Sequence, residues 1–313
     1  MLGRGNTKMT TPTALLIATV MVALSSLPAQ AQDLDETQLA DAMDFAMHDA
    51  VFTMYHEIGH MLVGELGLPV LGKEEDAADA LATIMLLLDD SDEDSYNALI
   101  DSADGWYFNA VKSTGEGVDA LSYYSDHSLD IQRAYAMVCM MVGKDPEAFA
   151  ATADAYELDA DRRESCVYTF EQAASAWATL LAPHEVTNAP GAAITVTYED
   201  AGDYAVFADE LKQRQVLERA AALITESYVL PGPVDFVAMQ CGEANAYYSP
   251  SQSTVTYCYE LADSMFALYV NDILPLWESD TDEAAADDTE RAEGNAPLQD
   301  LVGRWSDGQS ASN

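Results

Sequence analysis

The run Tyr55-His56-Glu57-Ile58-Gly59-His60 limits what this chain can become more than any other stretch. It lies in the C-terminal half of a helical pattern from Asp33 to Leu66, where Ala, Met and other apolar residues recur at three and four. Gly67-Leu68-Pro69 predicts its end, because proline cannot continue a helix. Residues i and i+4 of a helix share a face, one turn apart. His56 and His60 can therefore reach one metal ion, and zinc is the usual guest of such a pair. Glu57 then flanks the same site, where a carboxylate serves as the base of metal-assisted hydrolysis. The plain alternative is two surface histidines that bind nothing. The chain holds only 5 histidines, so two in this spacing weigh against it. His48, two turns upstream, reads as a packed or surface histidine rather than a ligand.

A zinc site of this kind needs a third protein ligand. After a turn at Pro69–Lys73, the run Glu74-Glu75-Asp76-Ala77-Ala78-Asp79 opens a second apolar helix reaching about Leu88. Acids in a first turn suit the helix dipole, which explains most of the cluster without any ligand. A carboxylate placed there, a short loop after the histidines, is nonetheless a feasible donor. Glu74, Glu75, Asp76 and Asp79 all qualify on position alone. Calcium binding by these acids lacks support, since no D-x-[DN]-x-[DN]-G loop occurs.

The acidic run around 89–94 predicts a loop, followed by an amphipathic stretch Tyr96–Val111 that reads as core through Trp106, Tyr107 and Phe108. Ser113–Gly117 predicts a second loop. Tyr123 to Arg133 follows, with Ser128 placed to cap a helix whose buried stripe is Ile131, Ala134, Tyr135 and Val138. Arg133 stands out in a cation-poor chain and reads as a structural partner of the Glu74–Asp79 carboxylates or of Asp126. Helices are expected over Pro146–Tyr156 and Ser165–Leu181, the latter burying Trp177 and Leu180. His184 follows a helix end and reads as a partner of its dipole.

The character then changes. Ile194–Tyr198 alternates as a strand, and a single helix is expected over about Ala208–Ser227. Leu230–Pro233 turns the chain into a strand at Val234–Met239. A turn at Ser249–Ser253 leads into a returning strand, Thr254–Tyr259, and then a helix from Glu260 to Val270. The expected fold is α+β and predominantly helical, with a small hairpin or sheet. Residues 32–185 form a helical metal-binding half, and residues 190–277 an α+β half of the same domain.

Several of these stretches together resemble a known family. HEIGH at His56–His60, LPVLG at Leu68–Gly72 and EEDAAD at Glu74–Asp79 are similar to the DUF4344 metallopeptidases, within the wider gluzincin group of zinc peptidases. The His-Ser-Leu-Asp-x-Gln-Arg run at 127–133 and a CGExNAxY…CYEL segment at 241–261 extend the resemblance. In the family that last segment precedes the histidine motif; here it follows, as in a permuted relative. The resemblance implies a zincin-like fold with a long active-site helix. It implies Glu75 as third ligand, because Glu75, Ala78, Asp79 and Ala82 fit the E-x-x-A-[ND]-x-x-A context. It makes Asp79 an acceptor that orients a ligating histidine, and His127 a donor to the oxyanion. The alternative for His127 is a structural residue at a helix N-terminus. An edge strand beside the active-site helix would bind substrate backbone, placing the Val234–Tyr259 hairpin there. Glu243 and Asn245 then either line the cleft or structure a turn.

Residues 1–31 read as a secretory signal peptide: Arg4 and Lys8, an apolar run Thr13–Leu27, and Ala29-Gln30-Ala31 as the cleavage site. A secreted or periplasmic location agrees with Cys139, Cys166, Cys241 and Cys258, an even count expected to pair locally as Cys139–Cys166 and Cys241–Cys258. With 54 acidic against 13 basic residues, nucleic acid and anionic membrane are poor partners, since both carry like charge; no nucleic acid and no membrane span in the mature chain are expected. The acidity fits a saline habitat or simple solubility. Residues 278–313 read as an acidic, disordered tail. The function expected is an exported zinc metallopeptidase acting on peptide or protein substrates. The alternative is a non-catalytic, zinc-stabilised binding or envelope-associated domain.

Overall fold

The computed structural model describes residues 34–88, 93–114, 125–188 and 190–277. The segments read as a signal peptide and as an acidic tail, and most of the loops expected near 89–94 and 113–117, lie outside them. The long helix α1 runs Glu36–Leu66. Its first turn is closed reciprocally: the Asp35 carboxylate accepts from the N–H groups of Thr37 (2.8 Å) and Gln38 (2.9 Å), and the Gln38 amide oxygen accepts from Asp35 N–H (2.8 Å). Gly67, in the left-handed conformation at φ 61°, ends it. Its apolar residues encircle it, and Phe45, Met47, Phe52, Met54, Ile58 and Met61 are all buried. A helix apolar on every side belongs in the middle of a protein, and α1 packs against helices from both halves of the chain and against strands.

Helices α2 (Glu74–Leu88) and α3 (Glu93–Thr114) pack on α1, and α4 (Asp130–Lys144) packs on α2 and α3. The short α5 (Ala150–Ala155) leads into α6 (Ala160–Leu181). The helix expected over Pro146–Tyr156 is thus confined to its second half, with Pro146–Phe149 in turns. The helix α6 packs on α4, where the Cys139–Cys166 disulfide joins them with a Cα separation of 5.0 Å. His48 on α1 meets Asp101 on α3 at 2.5 Å, a packed histidine as expected.

Strand β1 (Ile194–Tyr198) is followed by α7 (Ala205–Gln213) and α8 (Val216–Ser227). The single helix expected here is broken at Gln215, which adopts a left-handed φ of 55°. Glutamine gives no sign of this, since it is an ordinary helix former. Strands β2 (Val234–Met239), β3 (Ala246–Ser249) and β4 (Thr254–Cys258) complete a four-stranded mixed sheet in the order β1-β2-β4-β3. The Val234–Tyr259 hairpin is corrected here: β2 and β4 run parallel, and the antiparallel partner of β4 is β3. Residues 255–258 of β4 are all buried, as befits a strand covered on both faces. The Cys241–Cys258 disulfide ties the ends of the parallel pair β2 and β4 rather than a hairpin (Cα separation 5.5 Å). Helix α9 (Tyr259–Leu268) returns along α1. One hydrophobic core takes residues from both halves of the chain, including Ile58, Leu81, Val138, Phe207, Phe236 and Phe266. The protein is a predominantly helical α+β fold.

Candidate metal centre

His56 and His60 project from one face of α1 toward the start of α2. Their Nε2 atoms lie 3.2 Å apart. Glu75, in the first turn of α2, brings Oε2 to 3.2 Å from His56 Nε2 and 3.3 Å from His60 Nε2. Three ligand atoms thus form a nearly equilateral triangle. Tetrahedral zinc at about 2.0–2.1 Å from each ligand needs edges of roughly 3.3 Å. The donor set and its spacing fit a divalent cation, and this is the one such group of His, Cys, Asp and Glu among the described residues.

Two carboxylates behind the histidines fix which nitrogen faces inward. His56 Nδ1 lies 2.7 Å from Asp79 Oδ1, and His60 Nδ1 lies 2.8 Å from Glu74 Oε1. A proton held on each Nδ1 leaves Nε2 free to bind a metal. Asp79 is itself gripped by Arg133, whose Nε and Nη2 each donate at 2.7 Å. The Arg133 guanidinium lies 3.5 Å from the ring centroid of Trp106, which completes its surroundings. The four acids that position alone left open are now distinguished. Glu75 converges with the histidines, Asp79 and Glu74 each hold one imidazole, and Asp76 accepts from the Ser128 hydroxyl at 3.0 Å. Ser128 therefore does not cap α4; that N-terminus begins at Leu129, whose N–H donates to the Gln132 side chain.

Close approach of α1 and α2 makes this possible. A Cβ on Gly59 would meet the Cα of Ala78 at 3.0 Å. Glycine inside the motif is what lets the second helix come near enough for Glu75 to reach the histidines.

Charge at the site is held against burial. Burial opposes charge on His56, but hydrogen bonds to Asp79 and Glu75 outweigh it and raise the imidazole to about 9. Burial likewise opposes charge on Asp79, yet Arg133 and His56 hold it down to about 2. Burial of Glu75 is overcome by His56 and His60, which keep its carboxyl well below the usual carboxylate range. Glu57 differs. Burial pushes its carboxyl above the ordinary value, against the pull of the imidazoles of His56 and His60.

His127 sits on the open side, its Nε2 2.9 Å from Glu75 Oε2 and its side chain 48% exposed. Lys73 holds its backbone in place, donating to the carbonyl oxygens of Ser125 (3.2 Å) and His127 (2.7 Å). His184 lies in a short 3₁₀ turn at the end of α6, outside the triangle of ligand atoms. Glu243 is exposed, and the Asn245 side chain accepts from the adjacent Ala246 N–H, a turn-forming role. Two participants escape sequence reasoning. Glu74 as the partner of His60 was legible only as one of four acids. Tyr248, whose hydroxyl donates to Glu65 Oε1 at 2.7 Å, meets α1 only because β3 folds onto that helix.

A pair of histidines one helical turn apart, joined by a carboxylate from the next helix, is a group that could hold a metal ion on an α+β fold. The chain belongs to the family DUF4344, described as "Putative metallopeptidase", whose model matches residues 15–181 and 198–288. No curated protein and no solved structure matches it.

Proposed function

We propose that the protein is an exported, zinc-dependent metallopeptidase that hydrolyses peptide bonds. The carrying observation is the triangle of His56 Nε2, His60 Nε2 and Glu75 Oε2, with both Nδ1 atoms committed to carboxylates and Glu57 adjacent in the motif. His56, His60 and Glu75 would hold a zinc ion, which would supply Lewis acidity and make water more acidic at the site. Glu57 then accepts a proton on its carboxylate as water attacks the peptide carbonyl carbon. It returns that proton to the amine nitrogen as the C–N bond breaks. The raised pKa of Glu57 suits a group that must both take and give a proton near neutral pH. His127, exposed on the open side, donates from Nε2 to the carbonyl oxygen as it gains charge. Two disulfides support an oxidising, exported setting. Among the described residues no helix is long and apolar enough to cross a membrane.

The test is digestion of a peptide library by zinc-loaded wild type and zinc-loaded Glu57→Gln. Wild type should cleave, cleavage should stop with chelator, and Glu57→Gln should lose at least about a hundredfold in rate while keeping its metal. Equal activity of the two proteins would leave only a zinc-stabilised binding domain.

A further inference from the structure

The run Lys73-Glu74-Glu75-Asp76 holds the segment that carries His127. Lys73 immediately precedes α2, and its ammonium donates to the carbonyl oxygens of Ser125 at 3.2 Å and His127 at 2.7 Å. Asp76, in the first turn of α2, accepts from the Ser128 hydroxyl at 3.0 Å. Between these anchors, Glu75 Oε2 lies 2.9 Å from His127 Nε2. Within the segment, His127 N–H donates to Ser125 Oγ at 3.2 Å and closes a local turn. Residues 125–128 thus lie as a strap across the start of α2, gripped on both sides of the histidine.

Helix stability does not explain Lys73. A cation at a helix N-terminus opposes the dipole, which favours the acids Glu74, Glu75 and Asp76 found there. With 54 acidic and 13 basic residues in the chain, an ion pair with a neighbouring carboxylate is the ordinary use of such a lysine. Among the described residues Lys73 makes no such pair, and its hydrogen bonds go to the strap. The histidine needs this support, because its half-exposed side chain is not held by packing. With its own carbonyl gripped, the backbone of His127 is fixed relative to Glu75, and the imidazole keeps only its side-chain torsions.

We propose that Lys73 is a positioning residue for His127: it fixes the strap so that Nε2 stays on the open side of the triangle of ligand atoms, with the Asp76–Ser128 bond as the second anchor. Glu75 and the two anchors belong to one short run, so metal ligand and oxyanion donor share a rigid base. This inference rests on the peptidase reading for its kinetic consequence. Its structural consequence can be measured without activity.

Lys73→Met keeps the reach of the side chain and removes the donor, whereas Lys73→Arg keeps a donor. The position lies on an exposed turn. In metal-free protein, diethyl pyrocarbonate should modify His127 about tenfold faster in Lys73→Met than in wild type, read by peptide mass spectrometry, the equivalent of one ordinary hydrogen bond. With zinc bound, kcat in Lys73→Met should fall by about tenfold, with KM within about twofold and metal content unchanged, as for a misplaced catalytic group. Lys73→Arg should recover most of both effects. His127→Ala should lose about a hundredfold in kcat. Adding Lys73→Met to it should cost less than about twofold more, because a residue that acts through His127 then has nothing left to place. Wild-type reactivity of His127 in Lys73→Met would overturn the proposal, and so would an unchanged kcat. A loss that persists in full in the His127→Ala background would overturn it too, since it marks a direct contact of Lys73 with substrate. If wild type cleaves no peptide, the peptidase reading fails and the reactivity of His127 alone decides the positioning. Should Lys73→Met not fold, Ser128→Ala, which frees the other anchor, carries the same comparison.

Discussion

At the scale of single residues, the candidate metal centre is built as much by the groups behind His56, His60 and Glu75 as by those three residues. His56 faces inward because Asp79 holds its far nitrogen, and Asp79 stays ionised while buried because Arg133 grips both its oxygens. Replacing Asp79 by Asn weakens that chain without touching a ligand. We expect Asp79→Asn to lower metal affinity by about ten- to a hundredfold, read by competition with a chromogenic chelator. It also leaves the buried Arg133 without its counter-charge, so thermal stability should fall in the same variant. Unchanged affinity would mean that the orientation of His56 is set by packing alone. The histidine pair and its glutamate were legible in the sequence, because a spacing of four has one geometric meaning on a helix. Which acid joins them was not legible from position, since four carboxylates lie within six residues. The family resemblance pointed to Glu75, and the fold brings that same residue to the histidines.

At the scale of elements, two approaches to α1 matter: α2 on one side and β3 on the other. The first depends on Gly59. With Ala at 59, the new methyl would press on the backbone of Ala78, which has no flexible end to yield. We expect Gly59→Ala to cost about 1–3 kcal/mol of stability, measured by denaturant unfolding, and to weaken metal binding by moving Glu75 away from the histidines. A fully stable variant with intact metal binding would show that α2 can retreat without loss. Helices were readable where apolar period, capping residue and stop signal agreed, as at Asp35 and Gly67-Leu68-Pro69. The sheet was readable as strands but not as topology. Alternation in Val234–Met239 and Thr254–Tyr259 is equally compatible with parallel and antiparallel pairing, so β3 between them in sequence and outside them in space was invisible. The break at Gln215 was invisible for a different reason: tertiary packing imposed it on a residue with no local preference for it.

At the scale of the whole molecule, buried titrating groups make stability depend on pH with a definite sign. Asp49 is 5% exposed, and its burial raises its carboxyl from 3.8 to about 7. In the folded state it holds its proton longer than in the unfolded chain, so folding loses free energy as pH rises from about 4 to about 7. His56, raised from 6.5 to about 9, stabilises the metal-free fold fully below 6.5 and loses that contribution as pH rises through about 9. Asp79, lowered from 3.8 to about 2, acts oppositely, but its contribution is complete above about 4. Self-repulsion in a chain of formal charge −41 works in the same direction as the first two. With chelator present, urea unfolding should therefore give greatest stability near pH 4 and a decline of a few kcal/mol by pH 8. Stability that rises across that range would contradict the buried, protonated state of Asp49.

The most direct test of a metal centre on His56, His60 and Glu75 is a calorimetric zinc titration of metal-free wild type beside Glu57→Gln and Glu75→Gln. Wild type and Glu57→Gln should each bind about one zinc per chain with similar affinity, while Glu75→Gln should bind at least about a hundredfold more weakly. Zinc binding that is indifferent to Glu75, or absent from wild type, would contradict it.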